Sequence, residues 1–371
     1  MKKVSVILIC TLLLITGCIP NLEGEDEVLP NDEEVEGQKS IVPSYRLSDE
    51  NYPMILPYRV SEARGAIINQ MGSNRIDIDE MEEGLRRHSQ EYFDPGDYYF
   101  EEGQYLSLST VYNWIDDLNP EVEDEADVED YRENPRYLTH ILEQNFLQRK
   151  GEKKVELSGI SIGLAMKSVY RFNANGRGPY FEEIDYDTMF EKAQEVAQKV
   201  LERLRQREEL TDIPIMFAIY REEAQNSAVP GNFVAKTYVK SGDMMIRNWD
   251  NLNEENILFP SREAERKYYD DAQMINSFAT DIAEFFPNYV GVIGKGFYIN
   301  EELQELTLEI PIEFYGKGEV LGFTQYAYGL VKEKFSGDYY DLEVNITSSQ
   351  GQEALIFRPA GENEPTVHVY H

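Results

Sequence analysis

The chain of 371 residues contains two thiols, and their settings differ. Cys10 lies inside an apolar run from Val4 to Ile15, while Cys18 stands just behind it, after Thr16 and Gly17. A cysteine preceded by two small residues is accessible for thioether formation with a lipid, and for cleavage of the Gly17–Cys18 bond in front of it. A second candidate is Gly159-Ile160-Ser161-Ile162-Gly163, which fits G-x-S-x-G. That pattern presents a nucleophilic hydroxyl only where a strand turns sharply into a helix. Leu164 to Tyr170 continues apolar and strand-like. The expectation is therefore a strand with close backbone packing, and a hydrolase using Ser161 is the alternative. Of the 4 histidines, His140 and His368 suit a general base, but nothing in the sequence brings either near Ser161. No two histidines are paired at i, i+4 and no H-E-x-x-H occurs, so no metal site is read. Asp77-Ile78-Asp79 starts like a calcium loop but has Met81 as the next ligand and no glycine, so a helix N-terminus explains it better. Gly291 to Gly296 is rich in glycine but lacks the G-K-[ST] ending of a phosphate loop, so it reads as a strand entry. Asn345-Ile346-Thr347 is a glycosylation sequon by form only. These patterns assign no catalytic, cofactor or metal residue.

The elements around Cys18 form an address. Met1-Lys2-Lys3 is a basic start, Val4 to Ile15 is the apolar run, and Ile15-Thr16-Gly17-Cys18 looks like a lipobox. As a helix the 12 residues of the run would rise about 18 Å, short of a hydrocarbon core of ~30 Å. A cleaved leader over 1–17 is expected, with two acyl chains on Cys18 giving an anchor that one chain cannot sustain. Residues 18–40 then read as the anchor and a disordered, acidic, self-repelling tether, since they carry eight acids against Lys39 alone and few apolar groups.

Lys plus Arg number 35 and Asp plus Glu 69, for a net charge of −34. Nucleic acid is excluded as a partner, because phosphates need basic groups, and so is a polybasic membrane surface. A 42% hydrophobic content implies a folded body, placed at 41–371 and divisible into 41–242 and 243–371.

The body reads as α+β. Asp77 to Tyr92 has helical spacing with acids in its first turn. Glu121 to Glu133, an acidic run after Asn119-Pro120, reads as a solvated loop, and Leu138 to Leu147 as a helix. Arg64 to Asn69 and Ile160 to Phe172 read as strands. Met189, Ala193, Val196, Ala197, Val200, Leu201 and Leu204 give one apolar helix face. Strands follow at Ile213 to Tyr220 and Asn232 to Lys240, with Pro230-Gly231 turning between them. The order recurs: a strand at Leu306 to Tyr315, a helix face from Val320 to Phe335, and strands at Tyr340 to Thr347 and Glu353 to Phe357. Two β-α-β-β units with mostly antiparallel sheets are expected, related by an internal duplication that matches Tyr170 to Tyr315. Twenty-five tyrosines, among them Tyr98, Tyr99, Tyr105, Tyr268, Tyr289 and Tyr298, suit either a groove for peptide or glycan or ordinary half-buried packing, and packing is the expectation.

Several stretches resemble the CamS family, the sex-pheromone precursor lipoproteins of Gram-positive bacteria. They are Asn74 to Asp79 with Glu83-Gly84-Leu85, Tyr99 to Leu106, His140 to Gln144, Val229 to Phe233, Phe286 to Tyr298, and Gln304 to Gly316 followed by Gly322 to Gln325. The resemblance spans Tyr45 to His371, and the lipobox matches too. It implies that a short peptide from the leader, here Thr11 to Gly17, is trimmed and released as a signal, after prolipoprotein processing enzymes act at Cys18. It also implies a body held on the outer face of the cytoplasmic membrane, facing the cell wall. For that body it supplies no established biochemical role, and ligand binding is the expectation.

Overall fold

In the computed structural model, the described residues are 27–29, 40–42 and 48, then 51–370 except 65, 67–73, 76, 124–125, 151–153, 287–288 and 314–315. Thr11 to Gly17, Cys18 and most of the strand expected over Arg64 to Asn69 lie outside them. β1 (Glu27–Leu29), within the expected tether, pairs antiparallel with β2 (Ser40–Val42), which crosses from its last residue into the expected body.

Two six-stranded sheets make up the body. The first contains β3 (Tyr99–Glu102), β4 (Leu138–Lys150), β5 (Lys154–Met166), β8 (Ile215–Arg221), β9 (Asn232–Val239) and β10 (Asp250–Asn251), in that order across the sheet. A two-stranded excursion, β6 (Val169–Ala174) with β7 (Arg177–Glu183), leaves it after β5. The second runs β11 (Glu254–Phe259), β12 (Ile293–Ile299), β13 (Glu302–Pro311), β14 (Asp341–Ser348), β15 (Gly351–Arg358) and β16 (Thr366–Val369). Between the described strands of these sheets every pairing is antiparallel except β5 with β8 and β13 with β14, at the same place in each sheet. Each parallel pair is joined by a long helix, α4 (Tyr186–Arg205) in the first half and α7 (Lys317–Lys334) in the second, as a parallel connection requires.

The two halves thus repeat one order of elements, and more of it than the sequence suggested. Helices also separate the first two strands of each sheet: α2 (Leu108–Leu118) and α3 (Val128–Glu133) before β4, and α5 (Arg262–Lys267) and α6 (Tyr269–Phe285) before β12. The parallel ladders begin at Ile160 and Glu305, the same offset that separates Tyr170 from Tyr315. The first sheet takes its last strand from Asp250–Asn251, and the second sheet takes its first from Glu254–Phe259.

Three apolar cores hold these layers. Val111 and Ile115 of α2 and the predicted face of α4 pack on one side of the first sheet. On its other side lie Met81 and Leu85 of α1 (Ile78–Ser89), with Phe93, Phe146 and Phe233. The third core sits between α6, α7 and one face of the second sheet. The opposite face of that sheet carries Lys295, Glu305, Thr307 and Glu343, all lying in strand register away from the core.

Three expectations are corrected. Leu138 to Leu147 is a strand, because it lies inside the first sheet with both faces covered and so shows no alternation. The acidic run is not all loop: Asp127 caps α3 through the amides of Glu129 and Asp130, and Asp130 returns a bond to the Asp127 amide. The strand over Ile160 to Phe172 breaks after Met166, where β6 departs. No helix of the described residues is long and apolar enough to cross a membrane.

Candidate functional site

Ser161 sits mid-strand in β5, fully buried, and its hydroxyl lies 2.7 Å from that of Ser89, which donates to the Leu85 carbonyl. No helix starts after Gly163. The two glycines serve packing: a Cβ on Gly159 would stand 2.2 Å from the Phe93 ring, and one on Gly163 would stand 2.9 Å from Met81. His140 pairs in register with Ala165, its ring fully enclosed, and burial pulls its pKa down to about 3. His368 lies on β16 in the other half, edge-on to Tyr370. The serine and these histidines do not form one site, and the strand reading of G-x-S-x-G stands. Among the described residues no cluster of His, Cys, Asp and Glu is placed to hold a metal ion. Asp77 ends the chain before α1, where it pairs with Arg75 and accepts from the Gly231 amide. Gly294 and Gly296 lie within β12 against Phe259 and Tyr298, as strand residues.

The tyrosines are dispersed. Tyr298 stacks on Tyr268 at 3.7 Å and donates to Asp271, Tyr268 donates to Glu255, and Tyr289 to the Ala279 carbonyl. They belong to the packing of the second half; Tyr315 is outside the described residues.

What the structure does assemble is a cleft between α1 and the open face of the second sheet, with a volume of about 130 Å³. One wall is α1 and its approach, carrying Arg75, Glu80, Glu83 and Arg87. The floor is Tyr220 at the end of β8 with Gly231 and Phe233 at the start of β9. The far wall is Glu254, Asn256, Lys295, Phe297 and Glu305 from β11, β12 and β13. Gly231 is required here, because a Cβ would meet the Arg221 carbonyl oxygen at 2.2 Å and the Tyr220 ring at 3.0 Å. Asn256 ties the halves together by donating to Asn232 Oδ1 at 2.8 Å.

The charges divide into spent and unspent. Arg75 holds Asp77 at 2.5 Å, and Arg87 donates to Glu254 at 2.9 Å while lying over the Phe297 ring at 4.6 Å. His88 Nε2 also stands 2.9 Å from Glu254. Burial pulls the Glu254 pKa upward, yet His88 and Arg87 together hold its carboxyl below the usual value. Glu80, Glu83 and Glu305 have no cation within ion-pair distance among the described residues, and Lys295 has no carboxylate within that distance. Loss of water between the walls, then the charges of Glu83 and Asp77, push the Glu80 carboxyl up. Desolvation also raises Glu305; Arg87 opposes that, while Asp341, Glu80 and Glu83 add to it. Tyr220 is 3% exposed, and its hydroxyl has no hydrogen-bond partner among the described residues. Burial, followed by the nearby charges of Asp77 and Glu80, keeps that phenol protonated.

None of these groups stood out in the sequence. Lys295 falls in the glycine-rich run read as a strand entry, and Glu305 stands just before the strand expected from Leu306. One signal was present: the stretches carrying the family resemblance, scattered from Asn74 to Gly316, supply Arg75, Glu83, Gly231, Phe233, Phe297 and Glu305 to this one cleft.

Known proteins resemble the chain over most of its length. The family model described as CamS sex pheromone cAM373 precursor matches residues 58–364. The structure is similar to that of a sex pheromone precursor from Lactobacillus salivarius, with a TM-score of 0.80 and 26% identity over 90% of this chain and 99% of that one. It is also similar to the C-terminal domain of the sex pheromone staph-cAM373 precursor from Staphylococcus aureus, with a TM-score of 0.68 and 29% identity over 79% of this chain and 96% of that one. No curated protein matches the chain.

Proposed function

The chain belongs to the CamS sex pheromone precursor family, and on that premise we propose that it is a membrane-anchored lipoprotein whose leader yields a signalling peptide and whose body binds a ligand outside the cell. Prolipoprotein processing enzymes attach a diacylglyceryl group to the Cys18 thiol and cut between Gly17 and Cys18. Thr11 to Gly17 is then trimmed from the leader. This stretch is apolar and uncharged, so a receptor would read it by shape and buried area. The acyl chains hold the body on the outer face of the cytoplasmic membrane, facing the cell wall. The body uses no cofactor and performs no catalysis in this reading; it takes a peptide or glycan in the cleft between α1 and the second sheet. The observation that carries the binding role is the buried Tyr220 hydroxyl, left without a partner among the described residues beside carboxylates that lack cations among them. A buried donor in that state costs about 1–3 kcal/mol, which a ligand or ordered water recovers.

The anchor is tested by Cys18→Ala. Expressed in a Gram-positive cell fed labelled palmitate, the parent should carry the label in the membrane fraction and the variant should carry none. Label retained on the variant refutes the anchor. Synthetic Thr11 to Gly17 applied to responsive cells tests the signal, and an unchanged conjugation frequency counts against it.

A further inference from the structure

Resting on the reading of this cleft as the binding site of the body, we propose that its ligand is the ammonium group of a lysine side chain presented by a peptide. Three carboxylates, Glu80 and Glu83 from α1 and Glu305 from β13, feel one another's charge across the cleft and have no ion-pair partner among the described residues. The two arginines that share the cleft are already engaged, Arg75 by Asp77 and Arg87 by Glu254. Lys295 is exposed on the far wall, where it tempers the field without forming an ion pair among the described residues.

A second observation is independent of the acids. Tyr220, 3% exposed, lines the cleft, and its buried hydroxyl has no hydrogen-bond partner among the described residues. Its oxygen can accept an N–H, so an ammonium with three donors would find two carboxylates and a phenol oxygen. The Phe233 and Phe297 rings flank the space, and an aromatic face attracts a cation. Arg87 already uses the Phe297 ring in that way, at 4.6 Å. The volume of about 130 Å³ suits one side chain. A glycan offers neutral hydroxyls, which leave the carboxylates without counter-charge, and an anion would meet their repulsion.

Because a chain with net charge −34 attracts cations at large, the test must separate the cleft from the field. The full chain in neutral detergent is titrated calorimetrically with end-blocked Ala-Lys-Ala, with its Nε-acetyl form, and with tri-N-acetylglucosamine. The lysine peptide should bind, and acetylation should weaken it tenfold or more. Glu80→Gln with Glu305→Gln should weaken it tenfold or more. The control pair Glu208→Gln with Glu362→Gln removes the same charge from exposed sites and should change it less than twofold. Lys295→Met should tighten binding severalfold and Tyr220→Phe should loosen it, which keeps the test open if the double variant misfolds. If the acetylated peptide or the glycan binds in a way that the cleft variants abolish, and the lysine peptide does not, the cationic ligand is overturned and the binding site stands. If no probe responds to the cleft variants, both fall.

Discussion

Gly159→Ala sets two effects of opposite sign against each other. In a strand interior an alanine should be better than a glycine by about 0.5–1 kcal/mol. Here the added methyl would stand 2.2 Å from Phe93 Cε1 and 2.6 Å from Cδ1 and Cζ. Phe93 is fully buried, stacked on Phe146 at 4.7 Å and edge-on to Tyr98 at 5.4 Å, while its carbonyl receives the Tyr52 hydroxyl at 2.5 Å. Neither the ring nor its backbone has room to retreat. Overpacking costs about 1–3 kcal/mol, and disturbing the aromatic stack about 0.5–1.5 kcal/mol more. The clash should win, for a net loss of roughly 1–3 kcal/mol. Urea unfolding followed by the fluorescence of Trp114 and Trp249 would read it as a lower midpoint at unchanged slope. Adding Phe93→Leu should recover at least ~1 kcal/mol of that loss in a double-mutant cycle. A neutral or stabilised Gly159→Ala, or strict additivity, would refute the claim that this glycine exists to seat the ring.

Three further outcomes are expected. Burial pushes Glu143 up to about 7 against the opposing bonds from the Leu106 and Tyr105 amides, so its native form prefers the proton. Its contribution is complete below the ordinary carboxylate pKa and is lost as pH rises through about 7; unfolding at pH 5 and pH 8 should show the parent losing on the order of 3 kcal/mol more than Glu143→Gln, and equal pH profiles would count against it. Arg205 donates to the carbonyls of Leu210, Ile213, Lys240 and Asp243 at 2.6–3.1 Å while 5% exposed; Arg205→Met should cost roughly 3–5 kcal/mol in urea unfolding, and a loss under ~1 kcal/mol would show those bonds to be replaceable. Ser161→Ala should cost about 0.5–1.5 kcal/mol, the value of one hydroxyl bond to Ser89, and a fluorophosphonate probe should label neither form; labelling of the parent alone would restore the hydrolase reading.

The sequence was most readable where one face of an element meets water. The face of α4 was read residue by residue, because Met189 to Leu204 pack on one side and charged groups line the other. The strands around both parallel ladders were located for the same reason. β4 was misread because α1 covers one of its faces and α2 the other, which erases the period of two. The short α3 hid inside an acidic run whose cap, Asp127 with Asp130, lacks the usual serine and glutamate. The cleft was unreadable for a different reason. Tyr220 looks like any other apolar strand residue, and Glu305 like any solvent-facing one, until the two sheets are set side by side.

The lengths of the strands have a consequence for molecules crowded together. The long strands β4 and β5, at 13 residues each, are interior to the first sheet. Its borders are β10 with 2 residues and β3 with 4; those of the second sheet are β11 with 6 and β16 with 4. A neighbour approaching edge-on finds few backbone groups to pair with, too few to extend either sheet from one copy to the next. The pattern allows many copies to stand at high density without recruiting one another into fibrils.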